Sequence, residues 1–85
     1  MDTNTIIKDT ILAWEAQREV LDIMRSVYRE IWDETQDLDA WLTSMDLAHQ
    51  MHELWMAIWD LRDVLPVKNK VELNNLRKML GYTSQ

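Results

Sequence analysis

Two imidazoles and two thioethers carry the most chemistry-capable spacing in the chain: Met45, His49, His52 and Met56 follow one another at intervals of four, three and four. On a helix those intervals place all four on one face, with Trp41 above and Trp59 below. Imidazole with thioether suits copper or haem iron, and helical bundles build such sites from facing helices. The same six residues have the composition of a protein interface, where Met and Trp are enriched. The interface reading is preferred, because no second ligand set can be assigned and Met at helical spacing usually packs. If two copies meet there, His49 and His52 titrate near neutral pH inside the contact, and association weakens as pH falls.

The second constellation is acidic, Asp33-Glu34-x-x-Asp37 followed by Asp60-x-x-Asp63. Together with Glu30, these six carboxylates have spacings that could share Mg²⁺ and so polarise a nucleotide's phosphates. The pattern resembles the all-α nucleotide pyrophosphohydrolases of the MazG kind, which carry a Glu-Glu-x-x-Glu helix followed by a Glu-x-x-Asp helix. The resemblance covers residues 33–65, with Asp in place of Glu at three of five positions. It implies a Mg²⁺-dependent nucleotide hydrolase. The ordinary reading of such spacings is solvated acids at helix ends. Nucleophilic catalysis has no support, since Ser26, Ser44 and Ser84 sit in no nucleophile-elbow context and cysteine is absent.

Charge narrows the partners further. Net charge is −6, but from Glu30 to Leu61 there are only acids (Glu30, Asp33, Glu34, Asp37, Asp39, Asp46, Glu53, Asp60), while the tail carries Lys68, Lys70, Arg77 and Lys78 against Glu72. This argues against direct nucleic-acid binding, which needs a basic face. It suits a solvated bundle surface, or an acidic surface formed by Glu30, Asp33, Glu34, Asp37, Asp39 and Asp46 for a basic partner. The lack of cysteine fits a reducing compartment, the N-terminus has no signal-peptide pattern, and the longest apolar run, Leu54 to Trp59, is far short of a membrane span. A cytoplasmic, soluble protein with no membrane partner is expected.

Positioning these residues falls to helices, because one Gly and one Pro in 85 residues leave little turn chemistry for strands. Ile7, Ile11, Trp14, Leu21, Met24, Tyr28 and Ile31, flanked by Ala13, Val20, Val27 and Trp32, recur at three and four residues and predict a helix over about 5–34. Asn4 or Thr5 is its expected cap, and Glu15 with Arg18 and Asp22 with Arg25 are spaced to pair on its outer face. A turn is expected at 35–39, with 43–44 the alternative, where Ser44 would cap. A second helix, about 39–65, has a core stripe of Leu47, Met51, Leu54, Trp55, Ile58, Leu61 and Leu65, plus the Trp41 to Trp59 stripe on a second face. Pro66 stops it. A third helix, about 70–80, is expected to be capped by Asn69 with Glu72 and closed by Gly81 with Tyr82.

The resulting fold class is all-α: an antiparallel hairpin of two long helices plus a short C-terminal helix, in one domain. A helix apolar on two faces needs two layers of cover, and a chain this short supplies one. The expected completion is a helical bundle formed by homo-oligomerisation through Trp41, Met45, His49, His52, Met56 and Trp59. The function expected is that of a small acidic interaction protein that binds and regulates or inhibits a protein partner, with no catalytic residue, metal or cofactor. Such proteins are typical of phage and mobile elements. The hydrolase above and a metal, haem or ligand binder at His49 and His52 are the alternatives.

Overall fold

The computed structural model describes residues 2–81, which are all-helical: α1 is Thr3–Thr35, α2 Leu38–Asp63 and α3 Val67–Met79. The cap of α1 is Asp2 rather than Asn4 or Thr5, its carboxylate accepting the Thr5 amide at 2.7 Å. An ionised side chain suits that end, where free amides and the helix dipole both attract anions.

The turn falls at 36–37, inside the expected 35–39 window and away from Ser44, which is buried within α2 and donates its hydroxyl to the Trp41 carbonyl at 2.7 Å. No glycine is available here, so Gln36 takes the left-handed torsions itself (φ 57°, ψ 29°), and its amide donates to the Trp32 carbonyl at 2.7 Å. Its side-chain Nε2 donates to the same carbonyl at 3.0 Å, offsetting part of the strain. Asp37 then caps α2, accepting the Asp39 amide at 3.1 Å. Asp37→Ala is therefore expected to lower stability by about 1 kcal/mol in urea denaturation. A loss above about 3 kcal/mol would mean that Asp37 does more than cap.

Two further ends differ from the expectation. Helix α2 stops at Asp63, and Leu65 turns into the core at 3% exposure. Helix α3 starts directly after Pro66, whose side chain has no acceptor to cap it, so Asn69 and Glu72 lie inside the helix and Glu72 accepts from Lys8 Nζ at 2.7 Å instead. Gly81 adopts the left-handed torsion of a C-terminal stop (φ 76°), and Tyr82 lies outside the described residues.

At the turn, the Trp32 and Trp41 rings lie 5.5 Å apart; at the far end, Ile11 meets Ile58, so α1 and α2 are antiparallel. Leu65 and Leu73 complete that far-end cluster, with Ile7, Leu12, Trp14, Leu54 and Leu61 around it. Sequence periodicity puts Met24 and Ile31 in the core with Val20 and Val27 beside them, but all four are exposed. The reason is the winding of one helix on another. Packed helices keep residues seven apart on the seam, here Ile11, Arg18, Arg25 and Trp32. Small Ser44 and Ala48 lie opposite Arg25 and leave room for its stem. Among the described residues seven apolar side chains are buried while sixteen large ones stay exposed, so the chain leaves much apolar surface uncovered. No helix among the described residues is long and apolar enough to cross a membrane.

Candidate functional site

Helix α3 covers one end of the trough between α1 and α2. It is held there by Lys8 to Glu72, by Arg77 Nε to Glu15 Oε1 at 3.1 Å, and by Arg62 donating to Asn74 at 3.1 Å. On α1, Lys8, Glu15, Asp22 and Arg29 recur every seven residues, as do Trp41, Ala48, Trp55 and Arg62 on α2, so each set follows one side of the trough. Beyond α3 that side is open. The opening holds a cavity of about 310 Å³ lined by Arg18, Arg25, Ala48, Met51, His52 and Trp55. A smaller one of about 110 Å³ continues toward the turn, where Arg29, Trp41 and Met45 join its lining.

An aromatic ladder follows α2 along this opening. His52 stacks on Trp55 at 5.8 Å, Trp55 meets Trp59 edge-on at 6.1 Å, and the Arg62 guanidinium lies 4.9 Å from the Trp59 ring centre. Arg62 in turn bonds α3, so the ladder runs from the covered end into the open one. Trp55 Nε1, Arg18 Nε and Arg25 Nε are buried with no hydrogen-bond partner among the described residues. Leaving such a donor unpaired costs about 1–3 kcal/mol, so an occupant bringing acceptors would be favoured. Sequence periodicity assigned Trp55 to the core and paired Arg18 with Glu15; the seven-residue recurrence of Trp41, Ala48, Trp55 and Arg62 was the signal that locates them here.

The six residues expected to form one interface separate into three environments. Met45 (53% exposed), His52 and Met56 (46%) stay uncovered on or beside the opening. Trp41 and Trp59 are half-buried by their ring partners. His49 points outward instead, its Nε2 3.1 Å from Glu53 Oε1.

The expected acidic surface, Glu30, Asp33, Glu34, Asp37, Asp39 and Asp46, is exposed throughout. Asp33, Glu34 and Asp37 sit at the turn, whereas Asp60 and Asp63 sit at the other end of α2. Twenty-three residues of helix separate Asp37 from Asp60, about 35 Å at 1.5 Å per residue. One chain therefore cannot bring both carboxylate groups onto one Mg²⁺. Among the described residues no three His, Asp or Glu side chains converge as a metal site.

No family model, curated protein or solved structure matches this chain. The site is read from its own geometry.

Opposite the trough, α1 presents Val20, Ile23, Met24, Val27 and Ile31, all exposed and spaced by three and four residues. Gln17 and Leu21 on that side line a shallow groove with Gln50, Glu53, Leu54 and Ala57 of α2, while Glu30 and Glu34 lie exposed beside the strip on α1. The chain thus has two uncovered apolar surfaces, one with arginines and one with acids along its edge.

Glu15, 3% exposed, is the titratable group that burial affects most visibly. Desolvation holds its carboxyl above the ordinary glutamate value near 4.5, outweighing the opposing pull of Arg77 and Arg18. The folded state thus binds this proton more tightly than the unfolded chain, and the cost of burying the charge is full above the raised value. That cost disappears as pH falls toward 4.5. Asp2 and Glu72 act oppositely. The Thr5 amide holds Asp2 low and Lys8 holds Glu72 low, so their stabilisation is present above the ordinary range and lost as pH drops through the lowered values. Relative to Glu15→Gln, the wild type should gain stability as pH falls from 7 toward 4.5, measured by paired urea denaturations. An opposite slope would contradict the assigned direction.

Proposed function

We propose that this chain is a non-catalytic, self-associating helical module that regulates or inhibits a macromolecular partner by occupying one of that partner's surfaces. The observation that carries the reading is the pair of uncovered apolar surfaces on a hairpin whose own core is thin. Contiguous exposed apolar strips with polar rims mark interaction surfaces. The two differ in charge, which supports a division of labour. The trough, with Trp41, Met45, His52, Met56 and Trp59 along α2, serves self-association as a homo-oligomer. The strip Val20, Ile23, Met24, Val27 and Ile31 meets a protein partner whose contact surface is apolar with a basic rim. Glu30, Asp33, Glu34, Asp37, Asp39 and Asp46 steer that partner at long range and lose influence as salt rises. A cytoplasmic, phage or mobile-element setting is consistent with an acidic, cysteine-free inhibitor of this size.

The test is affinity capture from a host extract by immobilised wild type, by Met24→Asp/Val27→Asp and by Trp55→Ala, with bound proteins identified by mass spectrometry. One protein retained by wild type and Trp55→Ala but lost by the α1 double variant is the expected result. Identical retention by all three proteins would remove the α1 strip as the partner surface.

A further inference from the structure

We infer that the open half of the trough is filled by α3 of a second copy, giving a two-fold dimer in which each α3 lies between both hairpins. This rests on the proposed self-association through the trough and specifies how it occurs.

Length is the first support. Helix α3 has 13 residues and α2 has 26, about 20 Å and 39 Å at 1.5 Å per residue. One α3 therefore covers half of α2, and two laid end to end cover all of it. A two-fold axis perpendicular to the long helices produces that arrangement, because it carries the covered end of one hairpin onto the open end of the other.

The outward side of α3 is the second support. Leu73 and Arg77 face the chain's own hairpin and are buried, while Val67 (76% exposed) and Val71 (54%) face away. Met79 flanks them at 81% exposure. That side is mixed, with Val67, Val71 and Met79 set among Lys68, Asn75 and Lys78, as in an interface with a polar rim. In the dimer that side runs along Trp41, Met45 and Ala48 of the second copy.

Charge is the third support. Helix α3 lies alongside α1 with Leu73 at Ile11 and Arg77 at Glu15. The two-fold axis then sets Lys68 near the acidic turn of the other copy, Asp33, Asp37 and Asp39, and Lys78 near its Asp22. The same contacts recur on both sides. Neither Lys68 nor Lys78 makes a salt bridge among the described residues, and Glu72, which Lys68 attracts at longer range, is already held by Lys8.

The experiment uses the absence of native cysteine. The full chain carrying Val71→Cys and Met45→Cys is treated with a short bis-maleimide, beside each single variant. Within one chain these positions are about 20 Å or more apart, since Val71 lies near the Ile58 end of α2 and Met45 is 13 residues from Ile58. Efficient covalent dimer from the double variant and little from either single variant is the expected result. Val71→Asp should in addition raise the dimer dissociation constant more than about tenfold while leaving helical content unchanged. A non-covalent dimer by sedimentation that the double variant fails to cross-link overturns the α3 exchange and leaves self-association standing. A monomer at every concentration overturns both.

Discussion

Replacing Arg77 by Ala should destabilise the fold by about 3 kcal/mol, the low end for a broken buried pair, because it leaves the buried Glu15 carboxylate only the weaker pull of Arg18 and Arg62. Glu15 is 3% and Arg77 8% exposed, so neither charge recovers its hydration when its partner is removed. Their attraction is thus needed without being a net gain. Desolvation already holds Glu15 above its ordinary pKa, which means the ion pair does not fully offset the cost of burial. Changing both residues to Leu should therefore recover most of the loss or exceed wild-type stability. Urea denaturation of Glu15→Leu, Arg77→Leu and the double variant forms a cycle that reads the coupling directly. A double variant as unstable as the sum of the singles would show no coupling between the two side chains and would contradict the pairing.

The second large effect belongs to Leu73, which is fully buried where α3 meets Ile11, Ile58 and Leu65. Leu73→Ala removes three buried carbons and should cost about 2–5 kcal/mol, depending on how far the neighbours collapse. Few residues besides Leu73 and Arg77 tie α3 down, so the loss should be local: faster amide exchange across Val67–Met79 with α1 and α2 still protected near the turn. If α3 bridges two copies, Leu73→Ala should also weaken the dimer. Hydrogen exchange that accelerates equally over all three helices would instead show one cooperative unit.

Helix number and type were legible because apolar residues recur at three and four and Pro66 ends the second long helix. The turn was legible within five residues from Thr35 to Asp39, since those residues cap and stop helices. Its left-handed residue was not, because Gln36 has no intrinsic preference for that torsion and holds it through two bonds to the Trp32 carbonyl. The face of α1 was misjudged for a different reason. Periodicity alone favours the α1 stripe through Met24 and Ile31, whereas the observed seam through Arg18 and Arg25 depends on the space that Ser44 and Ala48 leave across it. The buried Glu15–Arg77 pair was likewise hidden, since 62 positions separate its members and Arg18 offered a nearer partner. Within the candidate site, Met45, His52 and Met56 were placed on an uncovered face by spacing alone. Trp55 was assigned to the core, although it links His52 to Trp59 and faces the larger cavity.

On the proposed reading this hairpin is half of an assembly. Native mass spectrometry of the wild-type chain at micromolar concentration and neutral pH tests it most directly. The expected species is two 10.2 kDa chains with no retained small molecule, falling to one chain on dilution or on introducing Val71→Asp. A single 10.2 kDa chain at every concentration, or one carrying a bound cofactor in the trough, would contradict the claim.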